Sequence, residues 1–492
     1  MSDARSLLVA AGMSGQEAER KQVLFDRAVA ALLRFPDSQK NLRGAASHVA
    51  DHSVVFRWWV PGRIEFLGKH TDYAGGRSLL CAAERGICVA ATPRRDDRVR
   101  VHDAISGDTL EFRLSEEQTM DDSAQPTMDD SAQPTMDDSA QPTVNNSAQP
   151  GHWSAYVHAV ASRIVRNFPA TGFRSSRPSS RIAALVGADI VMASDLPQAA
   201  GMSSSSALVV AIFLALVRAN DIESSALYRR AIATTEQLAE YLGTIENGQS
   251  FGELVGERGV GTFGGSEDHT AILCARAGAL AQYSFCPVRL ERTVPFPADH
   301  VLVVATSGVA AEKTGAVRER YNALSRMSAE IVERWESVTG ERYPTLAAAV
   351  NASRDATSRV RELLDADRLA RLEHFLLESE GLIPRAADAL ANGNLATLGR
   401  LVDQSQRGAE QLLGNQIPET IFLARSAREL GAIAASAFGA GFGGSVWALV
   451  RESDAALFRT RWGEAYAARF PAAAERAEML VTSAGPGVSE IG

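Results

Sequence analysis

The sequence is poor in cysteine: four in 492 residues, Cys81, Cys88, Cys274 and Cys286, with no C-x-x-C spacing among them. That scarcity excludes a disulfide framework and a cysteine-built zinc site, and the thiols read as reduced packing residues. No apolar run comes near the roughly eighteen residues that a membrane-spanning helix needs, so no membrane partner is expected. Basic charge is in deficit, with 50 Lys and Arg against 59 Asp and Glu. A net charge of −9 disfavours nucleic acid, whose phosphates are bound by excess cations, but leaves room for a small phosphate-bearing ligand held by local donors. The N-terminal MSDARSLLVAAGMSGQEAERK places Asp, Arg, Glu and Lys among its apolar positions, which breaks the stretch a secretory signal requires, so a cytoplasmic protein is expected.

What is present is a globular composition, 46% hydrophobic, in a chain long enough for two domains. Residues 1–45 read as a helical arm, with Val23, Phe25, Val29, Leu32 and Leu33 at helical spacing. VVFRWWV and RIEFLG follow as two strands, and β-rich sequence continues to Arg113. From Thr119 the octapeptide TMDDSAQP occurs three times and is followed by TVNNSAQP, ending at Pro150. Such polar, Pro-punctuated units cannot bury a core, so 115–150 is expected to be a disordered insertion. The remainder divides near residue 295, into a domain at 46–295 carrying the insertion and one at 296–492. The chain end reads strand, glycine loop, strand, helix, strand.

Three segments carry chemistry. The first, PGRIEFLGKHTDYAGG from Pro61 to Gly76, concentrates Arg63, Lys69, His70 and Asp72 ahead of a glycine turn. Donors and acceptors packed this closely suit a polyhydroxylated ligand, whose hydroxyls must all be paired once they leave water. Its Gly62-x5-Gly68-Lys69-His70 is not a P-loop: it has one residue too many, and His stands where Ser or Thr must be. The second, DLPQAAGMSSSSAL from Asp195 to Leu208, joins a strand to an apolar helix. Gly201, Met202, Ser203, Ser204, Ser205, Ser206 and Ala207 there can turn amides and hydroxyls onto an anion at a helix N-terminus. The third, FGAGFGGS from Phe438 to Ser445, has the spacing GxGxxG but precedes a strand rather than a helix, so a dinucleotide site is excluded. Gly441, Gly443 and Gly444 instead suit a hairpin packed closely on another domain's ligand, or a purely structural turn.

Together these segments resemble the GHMP kinases, and among them the galactokinase family, over about residues 55–485. The resemblance implies an α+β fold of two domains, an N-terminal mixed sheet with helices and a C-terminal ferredoxin-like domain, with ATP, Mg2+ and a small-molecule sugar meeting in the cleft. It implies nothing about oligomeric state, for which a monomer is plausible. In GGSEDHT, Asp268 matches the family's catalytic carboxylate, Arg63 its positive partner and Gly265 a residue beside the sugar. Ser205 matches the magnesium-ligating serine, with Glu246 or alternatively Glu240 as its carboxylate partner. His70 and Asp72 match sugar contacts. Lys69 stands where galactokinases carry glutamate, which reverses a charge and points to an anionic substituent, as on a uronic acid, or to another hydroxyl pattern. Two rival readings are a kinase for a non-sugar acceptor and a non-catalytic sugar sensor.

Overall fold

Apolar residues on both faces of the first long strands require cover on both sides, and the fold supplies it. The computed structural model describes residues 3–35, 55–117, 152–169, 185–197, 200–310 and 315–492. The octapeptide repeats lie outside the described residues, and 115–117 belong to a short helical turn, Leu114–Glu117. The two expected strands around Pro61 are one, β1 (Phe56–Leu67), whose pairing with β2 (Arg77–Pro93) shifts register between Pro61 and Arg63. A bulge absorbs the proline, which has no N–H to give a ladder.

The large sheet adds β3 (Arg98–Asp103), β4 (Thr109–Arg113), β5 (Ala188–Ser194), β6 (Ala279–Ser284) and β7 (Arg289–Pro295), and one pair, β3 with β5, is parallel, so the sheet is mixed. Alternate residues of β2 face opposite ways. Val89 and Ala91 enter the main core, under the helices Ser154–Asn167 and Ser204–Ala219, while Cys88 and Ala90 meet the N-terminal helices Ala4–Ala10 and Gly15–Leu32. The arm is thus one wall of the domain. Phe25 and Leu32 are buried as their spacing predicts, whereas Val23 is 64% exposed.

β8 (His300–Thr306) opens a second, four-stranded antiparallel sheet with β9 (Ala434–Phe438), β10 (Ser445–Arg451) and β11 (Met479–Thr482), in the order β11-β8-β10-β9. With helices between β8 and β9 and between β10 and β11, this is the expected ferredoxin-like arrangement. Val303 and Ala448 face the helices Pro418–Glu429 and Ala455–Arg469, while Leu302, Val304 and Trp447 join the core of the first domain. The Trp447 ring stacks on Phe66 with centroids 4.1 Å apart. The chain then leaves the second sheet: β12 (Ala484–Gly485) pairs with β2 and β13 (Ser489–Glu490) with β1, so its last strands complete the first domain rather than belonging with 296–492. Among the described residues no helix is long and apolar enough to cross a membrane.

One contact ties the arm to the serine-rich segment. The fully buried Lys21 Nζ lies 2.5 Å from Asp195 Oδ2 and 2.9 Å from Glu17 Oε2, and Asp195 Oδ1 accepts the Gly86 N–H at 2.8 Å. Removing one partner of a buried pair strands the others, so Lys21→Met is expected to cost about 3 kcal/mol, read as an earlier first transition in urea denaturation.

Candidate active site

Arg63 sits at the bulge of β1. Its N–H donates to Met202 O at 3.2 Å, its Nη1 to Gly201 O at 2.5 Å and its Nε to Asp268 Oδ1 at 2.7 Å. One side chain thereby joins the first segment, the serine-rich segment and the GGSEDHT turn. Gly62 permits this approach, since a Cβ there would lie 2.8 Å from Met202 O. Burial works against the guanidinium's charge, but Asp268, Glu65 and Glu267 more than offset it and hold its pKa above the usual range.

Asp268 is in the first turn of the helix Glu267–Cys274. Beyond it, Ser206 Oγ donates to Glu246 Oε1 at 2.6 Å and lies 3.4 Å from Asp268 Oδ2. Glu246 also lies 3.4 Å from His269 Nε2. The expectation for serine therefore changes: Ser205 is half-buried in the first turn of the helix Ser204–Ala219, and Ser206, one residue on, faces the carboxylates. Between the two glutamates of the helix Thr235–Asn247, Glu246 is at the cavity. Glu240, six residues earlier and so most of a turn around, accepts the Val288 N–H at 3.3 Å instead.

Arg63, His70, Asp72, Gly265, Asp268 and Glu246 line one cavity with Ser206. His70 Nε2 donates to Ala440 O and Nδ1 accepts from Tyr73 Oη, both at 2.9 Å, when the ring carries its proton on Nε2. Gly265 allows the turn to touch Asp72, whose Oδ2 would be 2.5 Å from a Cβ there. Lys69 does not reach the cavity. It is fully buried behind β1, with Nζ donating to Ser436 Oγ at 2.8 Å and Ser405 Oγ at 3.2 Å. Lys69 lies in the turn after β1, past Gly68 at a positive φ of 132°, and that turn carries its side chain to the second domain, while Glu65, on β1 with Arg63, forms part of the cavity wall. Glu65, Glu267 and Tyr321, which also line the cavity, escaped the sequence reading. Glu65 was detectable as the i+2 neighbour of Arg63; Tyr321 had no comparable signal.

The two glycine-rich segments meet each other. Ser203 takes a left-handed φ of 60° before the helix Ser204–Ala219, and its hydroxyl is buried with no partner among the described residues. An unpaired hydroxyl at the N-terminus of a long helix fits a phosphate oxygen. Ser445 Oγ donates to Ala200 O at 2.5 Å, and the Gly439 N–H donates to Glu65 Oε2 at 3.1 Å. Gly441, Gly443 and Gly444 all have positive φ, and a Cβ at Gly441 would lie 2.4 Å from Asn415 O. They shape the loop and are not among the residues lining the cavity.

Three family models match: the galactokinase galactose-binding signature over residues 48–93, the GHMP kinases N terminal domain over 156–250 and the GHMP kinases C terminal over 386–468. Both the N-terminal and the C-terminal domain of the GHMP kinases are thus matched in this chain. Relatives named galactokinase, from Roseiflexus sp. (strain RS-1) and Chloroflexus aurantiacus, are 27% and 28% identical over 88% and 87% of this chain and 92% of theirs. The crystal structure of Lactococcus lactis galactokinase complexed with galactose superposes with a TM-score of 0.66 at 20% identity, covering 92% of this chain and 98% of that one, which supports the GHMP kinase fold.

The carboxyls of the cavity are crowded. Burial pushes Glu65 up from 4.5 to about 7, with Lys69 and Arg63 pulling the other way, and burial together with Glu65 and Asp72 pushes Glu267 well up. A carboxyl whose folded pKa is raised stabilises the fold below its unfolded value and loses that contribution as pH climbs through the folded one. Stability is therefore expected to fall between pH 4.5 and about 7. Thermal midpoints of wild type and Glu65→Gln measured across that window check this: the variant should show a shallower slope.

Proposed function

We propose that the protein is an ATP-dependent sugar kinase that transfers the γ-phosphoryl of ATP to the anomeric hydroxyl of galactose or a closely related sugar, giving the sugar 1-phosphate and ADP. The observation that carries this reading is the 2.7 Å contact of Arg63 with Asp268, set between the galactose-binding signature and the serine-rich helix start. Phosphoryl transfer asks a protein for positioning and charge stabilisation rather than covalent chemistry. Asp268, held ionised by Arg63, accepts the proton of the sugar hydroxyl or keeps that hydroxyl in line. Arg63 opposes the charge that develops on the transferred group. Asp72 and His70 orient the sugar. The amides and hydroxyls of residues 201–207 receive the phosphates, with Ser203 Oγ available for one oxygen.

The Ser206 hydroxyl and the Glu246 carboxylate are the pair suited to hold magnesium, which would supply positive charge against the phosphates. A non-catalytic sensor has no need of an ionised Asp268 beside a buried arginine, so the same contact favours turnover.

ATP consumption is expected with galactose and to fall about 10²–10⁴-fold in Asp268→Asn, with sugar binding by calorimetry little changed. Undiminished turnover in that variant would remove the aspartate from the mechanism. Ser206→Ala is expected to raise the magnesium concentration for half-maximal rate about tenfold, and Ser205→Ala to raise it less, as read from magnesium titrations of the initial rate.

A further inference from the structure

The buried charges around β1 do not balance. Glu65, Glu267 and Glu378 are 3%, 5% and 0% exposed. The cations beside them are Lys69, already held by Ser405 and Ser436, and Arg63, already held by Asp268. Glu378 Oε1 is satisfied by the Gly68 N–H and the Ser405 hydroxyl, and Glu267 Oε2 by Ser78 Oγ at 2.5 Å. Glu65 Oε1 and Glu378 Oε2 are both buried with no N–H or hydroxyl donor among the described residues, but of the two only Glu65, whose Oε2 accepts from Gly439, forms part of the cavity wall. Its carboxyl neighbour is Glu267, with which it can hydrogen-bond only through a shared proton. The proton that Glu267 retains is the one donor the described residues offer Glu65 Oε1, and a ligand hydroxyl in the cavity would supply another.

Charge in the cavity is also one-sided. Five carboxyls, on Glu65, Asp72, Glu246, Glu267 and Asp268, share it with one guanidinium, that of Arg63. The expectation from Lys69 was an anionic substituent on the acceptor or another hydroxyl pattern. With Lys69 turned away, the nearest charged group on the cavity side of β1 beyond Arg63 is an acid, and a carboxylate-bearing sugar would meet like charge with no cation to spare.

We propose that Glu65 is a specificity-determining residue of the acceptor site, accepting a hydrogen bond from a hydroxyl of an uncharged sugar and excluding sugars that carry a carboxylate. This rests on the sugar-kinase reading above. Beside burial, the groups acting on the Glu65 carboxyl are Lys69, Arg63 and a hydrogen bond with Glu267, which favour its ionised form, and Glu378, which opposes it. Burial holds it near pH 7, so its charge, and with it the exclusion, grows as the solution becomes more alkaline.

The test compares kcat/KM for galactose and galacturonate at pH 6 and pH 8.5 in wild type and Glu65→Gln. Taking the ratio of two sugars cancels groups that act on both. Wild type is expected to favour galactose by about 10²-fold or more, with the preference larger at pH 8.5, and the variant to narrow it about tenfold and lose the pH trend. Equal use of the two sugars by wild type would overturn the proposal even if the variant failed to fold. So would a folded variant with unchanged preference at both pH values. No turnover of any sugar by wild type would instead fault the kinase reading; calorimetric binding of the two sugars to wild type at both pH values then decides on Glu65 by the same preference.

Discussion

Arg63 is the pin on which the site depends. Its side chain and backbone reach Asp268, Gly201 and Met202, three groups carried by two further segments far apart in sequence. The register shift between Pro61 and Arg63 lies where the Arg63 N–H turns to Met202 O of the serine-rich segment, and the rest of β1 is locked between two layers of core. Burial makes the guanidinium dependent on its carboxylates, and the same burial makes their mutual geometry rigid.

The second domain completes this arrangement. Trp447 stacks on Phe66 one residue from Glu65, and the loop that follows β9 brings Gly439 to Glu65, Ala440 to His70 and Ser445 to Ala200. The cavity is thus walled by both domains, and the glycines of FGAGFGGS allow a close approach of backbone to backbone. Lys69 belongs to the same seam. In a position that looks substrate-facing by resemblance, it bonds Ser405 and Ser436 of the second domain and works as an interdomain strut.

What could be read from the residues alone follows a physical line. The mixed sheet and the ferredoxin-like end depend on local sequence with strong pattern and were legible, and the segments that bring Arg63, Asp268, His70 and Asp72 to one cavity stood out for the same reason. The choice of Glu246 over Glu240 depends on helical phase, which six residues of separation resolve only once the helix is placed. Ser206 in place of Ser205 is a one-residue matter at a helix start, below the precision of any motif. Lys69 was misjudged because it follows the end of β1 in a turn, past Gly68 at a positive φ, where no strand alternation tells which way a side chain points. Tyr321 enters the cavity from a helix more than fifty residues away from Asp268 along the chain, and no spacing announces it.

The return of the chain end to the first sheet has a kinetic meaning. β13 pairs along β1, and Ile491, fully buried, exchanges backbone and side-chain hydrogen bonds with Arg57. More than four hundred residues separate the two, so at a translation speed of about 5–20 residues per second roughly 20–90 s pass between the ribosome's making one and the other. Throughout that interval the open flank of β1 waits without its neighbour, and maturation of the domain made first is finished by the residues made last.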